Sequence, residues 1–445
     1  MRSLLRVLGL WFGLAVTIGN TIGGGILRTP GDIASLLPSP AWFIGIWVVG
    51  GLYALLGANA LSELGTMLPR SGGQYIFARH AFGNYAGFLV GWVDWISTCA
   101  STGAIALVLG ESIAAVLSLP ASAATALAMS VVVVFTVLLI RGTRLGDLAQ
   151  RATSLAKAVA LLLLVAACFA FAGRAHVDAS AVAATPRSAF GFAAFLLAAQ
   201  AVIYTYDGWS GPIYFSEELD DPGKQIPQSM FYGLLSVATI YILINVAFVV
   251  AVPTSALAGQ PLAAGTVAKA IFGSAGETFV RIVVIASLPS AVNACLLMAS
   301  RVLYSVSRDG LGFSMMTRVN RGGTPVSALV AGSVVTLAFL ATGTFETMIA
   351  IAAFFFVAAY TLSFLGVFVL RHREPSAPRP YRAKGHPWTT GFVLVGSLAF
   401  LTSAVIADRK NSLYALAIVV VSYPVFRFSR AGRVPLASVG SYLSE

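Results

Sequence analysis

A succession of apolar segments, each about 20 residues or longer, constrains this chain more than any other feature. About 20 apolar residues in helical form cross a hydrocarbon core. By that measure residues 8–37, 40–68, 81–117, 121–140, 146–173, 188–218, 228–251, 276–308, 326–343, 345–370, 388–407 and 411–428 read as twelve transmembrane helices. Composition agrees. Of 445 residues, 58% are hydrophobic and 10% charged, whereas soluble domains carry about 25% charged residues. The third and eighth segments exceed a perpendicular crossing and are expected to tilt or project beyond the bilayer. The N-terminal MRSLLRVLGLW runs into an apolar helix without a small-residue cleavage site, so that helix is expected to be retained.

Lysine and arginine set the expected orientation. With the N-terminus inside, the inside loops collect Arg2, Arg6, Arg70, Arg79, Arg141, Arg144, Arg151 and Lys224. They also hold Arg308, Arg318, Arg321, the stretch RHREPSAPRPYRAKGHP at 371–387, and Arg427, Arg430 and Arg433. The outside loops hold Arg174, Arg187, Lys269, Arg409 and Lys410. Both termini are therefore expected in the cytoplasm, in a multi-pass protein of the cell membrane. The net charge of +11 then belongs to loops beside lipid headgroups and not to a nucleic-acid surface. Cys99, Cys168 and Cys295 all lie in apolar segments, an odd and scattered set that fits neither a disulfide framework nor a metal site. No metal or cofactor is expected. Residues 253–276 are too short in their apolar parts to span; they read as a re-entrant or surface helix on the outer face, or as a plain loop.

Two segments are interrupted at bilayer depth. The first contains IGNTIGGGILRTP (18–30) and the sixth IYTYDGWSGPIYFSEE (203–218). Irregular backbone at that depth is tolerated only where protein or a water-filled cavity supplies partners. If spans 1–5 and 6–10 form two halves, the breaks fall in corresponding helices, and five being odd, the halves have opposite orientation. Paired interruptions of this kind point to a transporter site near the midplane. The resulting plan is a cytoplasmic N-terminus at 1–7, a first five-helix repeat at 8–173 and a second, inverted repeat at 188–370. A cytoplasmic basic loop (371–387), helices 11 and 12 (388–428) and a cytoplasmic tail (429–445) follow. The half-helix starting at Gly24-Gly25 offers unpaired N–H groups and a positive dipole end, suited to a carboxylate. The half-helices ending near Thr21 and Tyr206 offer unpaired carbonyls, suited to an ammonium. A free α-amino acid carries both charges.

These residues resemble the amino acid–polyamine–organocation superfamily, and within it the bacterial type of the L-amino-acid transporter branch. IGGGIL matches that family's first-helix motif, with Gly24 where serine is common and Leu27 where phenylalanine is common. YDGW (206–209) with SEELDDPGKQIPQS (216–229) resembles its sixth helix and following loop. SELGTMLPRSGGQYIFARHAFG (62–83), and SRVLYSVSRDGLGF (300–313) followed by TPVSALV (324–330), agree as well. The resemblance implies an all-α, five-plus-five inverted-repeat (LeuT-like) fold with alternating access. It implies a substrate site formed by Thr21, Gly23, Gly24, Gly25 and Ile26 from the first break. Tyr204, Thr205, Tyr206, Asp207, Gly208 and Trp209 would join from the second, with Tyr241 from span seven. The N–H groups of Gly24 and Gly25 would hold the carboxylate, and the carbonyls of Thr21, Tyr204 and Asp207 the amine. Tyr204 would close over the substrate, and Trp209 would pack beside it. Eukaryotic members pair with a heavy subunit through a cysteine between helices 3 and 4; the loop SLPA (118–121) lacks one, so no such partner is expected.

Ionisable residues in apolar segments are functional candidates by default. Lys157 lies about 17 Å into the fifth span by helical rise. It reads as a cation that replaces sodium near the first break, or as a structural lysine on carbonyls. Ser287 and Ser290, in SLPSAVNA, occupy the region that lines the cation site in sodium-dependent relatives, with Pro289 departing from the pattern. Asp94 is mid-span, with a basic partner and the cytoplasmic pathway as alternative roles. Glu63 and Arg70 read as solvated or loop-anchoring, and Arg28 as facing the outer vestibule. The Asp207 carboxylate is expected to turn to backbone or a neighbouring helix, which favours neutral substrates over lysine or arginine. The function that follows is sodium-independent exchange of neutral L-amino acids, with proton-coupled symport through Lys157 as the alternative. A channel lacks a filter motif here. For a membrane-embedded enzyme HExxH and G-x-S-x-G are missing, and His80, His176, His372 and His386 sit in or near loops.

Overall fold

A lipid-embedded backbone must satisfy its own polar groups, and this chain does so with helices. The computed structural model describes residues 6–174, 191–260, 262–343, 345–407 and 409–431. Arg2, His176, Arg187, Arg433 and most of the expected tail lie outside the described residues. The order is α1 (Leu10–Thr21), α2 (Gly25–Leu36), α3 (Pro40–Met67), α4 (Gln74–Phe82), α5 (Asn84–Val116), α6 (Ala123–Ile140), α7 (Thr143–Phe171) and α8 (Phe192–Thr205). There follow α9 (Pro222–Ala251), α10 (Thr254–Leu257), α11 (Ala263–Phe272), α12 (Ser274–Arg308), α13 (Val326–Thr342), α14 (Phe345–Arg373), α15 (Trp388–Ala407) and α16 (Arg409–Ala431). Among the described residues there is no strand, only isolated bridges at Leu8–Leu219 and Val319–Pro325. Nine of these helices are long and apolar enough to cross a membrane, ten if α1 and α2 count as one bent crossing.

Local chemistry explains several helix ends. Proline at the first position has no N–H to leave unpaired, and both α3 and α9 start with one. Asp221 caps α9 by accepting from the Lys224 amide at 3.3 Å, so α9 begins before the apolar run that marked its expected start at 228. The expected third span is α5 almost throughout, with its first two residues belonging to α4. Gly83, at φ +92°, ends α4 and precedes α5, a left-handed conformation that glycine adopts without steric cost. Residues 254–257 and 263–272 are helical, so the segment after α9 is no plain loop; α11 packs against α12 and α2.

Helices α5 and α12 form the centre. They pack along one another and contain 33 and 35 residues, about 50 Å of helix each. Of the most apolar stretch of α12, 78% is buried, against 22% for α15 and α16. The outer helices instead expose leucines and valines such as Val134, Leu155 and Val420, the surface a lipid solvent requires. The chain is thus an all-helical, multi-span membrane protein.

Candidate functional site

Both interruptions are real breaks, and they touch. Ile22 leaves the helical region at ψ 90°, and α2 departs from the α1 axis by 41°. The second break runs from Tyr206 to Ser210, after which Gly211–Phe215 forms a short 3-10 helix. Gly208 adopts φ +106°, and a Cβ there would lie 2.8 Å from the Asn20 backbone carbon. Only glycine allows this approach. Asn20 Nδ2 donates to Gly208 O at 3.2 Å. Tyr241 OH reaches both stubs, at 2.8 Å from Thr21 O and 3.2 Å from Thr205 O.

Around the breaks lies a cavity of about 610 Å³, within the range of small-molecule sites. Thr21, Gly23, Gly24, Gly25, Tyr204, Thr205, Asp207 and Gly208 are on its wall. So are Ser101 and Cys295, which the sequence did not single out as site residues. The buried Thr21 hydroxyl has no hydrogen-bond partner among the described residues. Toward one end the wall includes the half-buried Arg28, 3.9 Å from Glu111, and Asp32, which is exposed.

Four expected site residues stand behind this wall. Ile26 is fully buried in the core. Tyr206 turns its hydroxyl to Trp47 O at 3.1 Å and packs on the Tyr241 ring. Tyr241 itself supports the two stubs. Trp209 stacks on Tyr360, centroids 5.0 Å apart. Each has an apolar body that the packed helices enclose, so the residues adjoining a break divide between wall and support.

Helix α7 grips α1 with a polar stripe. Gln150 Nε2 and Ser154 Oγ donate to Ala15 O at 3.1 and 2.8 Å. One turn further, Lys157 Nζ donates to Gly19 O at 2.7 Å and to Ile22 O. These are carbonyls of the end of α1, where the dipole favours a cation. Ser290 Oγ donates to Gly19 O at 3.4 Å and to Ser287 O at 2.9 Å, while Ser287 Oγ donates to Val284 O at 3.2 Å. Lys157 thus occupies the place between α1 and α12 with Ser290 beside it, and the spacing 150, 154, 157 puts the stripe on one helical face.

Other side-chain pairs tie the helices to one another. Tyr214, on the cavity wall, donates to both Asp94 oxygens at 3.0 and 2.9 Å; among the described residues Asp94 pairs with a phenol and not with a base. Arg301 binds Glu218 through two 2.9 Å hydrogen bonds, both side chains fully buried. Arg308 binds Glu217 at 2.6 and 2.7 Å. Asp309 accepts from Arg70 at 2.7 Å, Tyr75 at 2.9 Å and Arg79. Glu63 is buried, accepting from Arg371 at 2.9 and 2.6 Å and from the Ala383 amide at 2.7 Å, which anchors the loop after α14. All three cysteines are free and buried, and no metal-binding cluster occurs among the described residues.

The comparisons with known proteins agree with this architecture. The family profile described as amino acid permease matches residues 8–425. The serine/threonine exchanger SteT of Bacillus subtilis (strain 168) is 28% identical over 433 residues, covering 96% of this chain and 97% of the relative. The b(0,+)-type amino acid transporter 1 of Mus musculus is 26% identical over 435 residues, 96% of this chain and 88% of the relative. The Asc-type amino acid transporter 1 of Mus musculus is 28% identical over 398 residues, 85% and 73%. These relatives are transporters and not enzymes. An interrupted-helix cavity in a multi-span bundle, with a family match across nearly its whole length, means that this chain belongs to the amino acid permease family, in the L-amino-acid transporter-like branch of the amino acid–polyamine–organocation superfamily.

Proposed function

We propose that this protein is a secondary carrier of neutral L-amino acids that works by sodium-independent exchange. The observation that carries the reading is the meeting of two interrupted apolar helices around one cavity, with the amide end of α2 and the carbonyl ends of α1 and α8 at its wall. In this reading the bent pair α1–α2, the interrupted segment of α8, and α13 join the nine long helices as twelve crossings. The first ten form two inverted halves of five. The basic end, with Arg70, Arg79 and Arg371, faces the cytoplasm, so the cavity opens outward and the pairs at Asp94, Glu218 and Asp309 seal the inside. The first-turn amides of α2 at Gly24 and Gly25 take the substrate carboxylate, and the ammonium lies toward the ends of α1 and α8. Rocking of the bundle then exposes the same site to the other side.

Lys157 replaces a coupling sodium by holding the carbonyls of Gly19 and Ile22. A second reading, proton-coupled symport, is favoured by one observation: Lys157 is fully buried and forms no ion pair with a carboxylate among the described residues. No disulfide-linked heavy subunit joins this chain, since residues 118–121 lack cysteine. The name of the Bacillus relative makes serine and threonine the first solutes to test.

The experiment is uptake of radiolabelled L-amino acids into proteoliposomes. Exchange predicts uptake only when the lumen is preloaded with a transported amino acid, unchanged on replacing sodium with choline, with no chemical change to the solute. Net uptake into empty vesicles with lumenal acidification would replace exchange by symport.

A further inference from the structure

A bound amino acid brings an ammonium charge, and part of the capacity of the stub carbonyls is already used. Thr21 O already accepts from the Gly23 amide at 2.9 Å and Tyr241 OH at 2.8 Å. Tyr204 O accepts from the Asp207 amide at 3.0 Å. Gly208 O accepts from the Gly211 amide and Asn20 Nδ2, both at 3.2 Å. A carbonyl oxygen has two lone pairs, so of the three carbonyls expected to hold the amine Thr21 O has no further capacity, while Tyr204 O has one lone pair left.

The same wall offers a carboxylate. Asp207 lines the cavity. Tyr360 of α14 donates to its Oδ1 at 2.7 Å. Tyr360 is itself fixed, by stacking on Trp209 and by the Ser210 hydroxyl 3.2 Å away. Among the described residues no lysine or arginine forms an ion pair with Asp207. The other acid on the wall, Asp32, is exposed and stands on the same helix as Arg28. Deep in the cavity there is therefore a carboxyl group without a protein cation beside it among the described residues, where a charge is costly unless paired, and an incoming ammonium would supply that pair.

We infer that the Asp207 carboxylate, oriented by Tyr360, is the counter-ion of the α-ammonium group of the bound amino acid. This rests on the amino-acid carrier reading. It departs from the expectation that the carbonyls of the breaks alone hold the amine. It also accounts for neutral selectivity: with Asp207 engaged by the α-amine, no second deep acid remains on the cavity wall to hold a cationic side chain. Tyr360 acts as a positioning residue.

The test titrates the purified full-length protein with the twenty standard L-amino acids. The tightest is paired with its 2-hydroxy-acid analogue, which keeps the side chain and carboxylate and lacks the amine. Loss of a charge-assisted hydrogen bond predicts that Asp207→Asn weakens the amino acid by about ten- to hundred-fold. The hydroxy acid, measured by competition, should change by less than about two-fold, and Tyr360→Phe should move the same ratio by a smaller factor in the same direction. Equal losses for the two ligands, or an unchanged amino acid affinity, overturn the assignment and leave the carrier reading standing. No saturable amino acid binding to the wild type overturns both. Asp207→Glu, which keeps the charge and shifts it by a methylene, gives the same ratio test should Asp207→Asn not yield a monodisperse protein.

Discussion

Lys157 is the residue at which charge and backbone geometry meet most directly. Its ammonium is fully buried and satisfies two carbonyls at the end of α1, groups that a helix terminus leaves without intrahelical partners. Removing the donor strands Ile22 O, at about 1–3 kcal/mol, and leaves Gly19 O only the Ser290 hydroxyl at 3.4 Å. Lys157→Met is therefore expected to lower the thermal midpoint in detergent and to reduce proteoliposome uptake more than about ten-fold, measured together on one preparation. Lys157 was legible in the sequence because a cation in an apolar run has few explanations. Gln150 and Ser154, which grip the same helix, were not. Their partner is a backbone carbonyl, which leaves no trace in composition, and amides and hydroxyls occur in membrane helices for many reasons. Asp94 was visible as a charge, yet its partner, the Tyr214 phenol 120 residues away, carries no charge to match.

At the scale of elements, the two breaks were readable because glycine clusters in apolar segments contradict a continuous helix. The short helix α4 before Gly83 was not expected, because its sequence QYIFARHAF mixes polar and apolar residues and is too short to span. The Glu218–Arg301 pair was hidden for another reason. It joins the segment after the second break to α12 across 83 residues, and each partner alone reads as a charge near a loop. A fully buried bidentate pair couples these elements strongly. Removing one partner leaves an uncompensated charge at about 3–5 kcal/mol. Arg301→Met and Glu218→Gln are each expected to destabilise by that amount, and the double variant by less than the sum. Thermal melts arranged as a double-mutant cycle measure the difference.

At the scale of the molecule, the distribution of charge separates two ends. The basic loops read from the sequence gather around Asp309, Glu217 and Glu63 at one end, and Arg28 and Asp32 stand at the other. The pairings at the basic end were not legible, because each joins side chains distant along the chain. Orientation gives a direct expectation. Arg382 and Asp32 are both exposed, and the native cysteines are buried. Arg382→Cys should react with a membrane-impermeant maleimide only in inside-out vesicles, and Asp32→Cys only in intact cells.

The phenol of Tyr241 links the last carbonyls of α1 and α8 through one oxygen. Neither stub swings while the other stays, unless that link is given up. In the proposed carrier cycle, a solute seated between them would meet the same arrangement of donors and acceptors whichever side is open. Preference among competing solutes should consequently be shared by the entry and exit faces, with the two faces differing in how often the seat is presented and not in what it prefers.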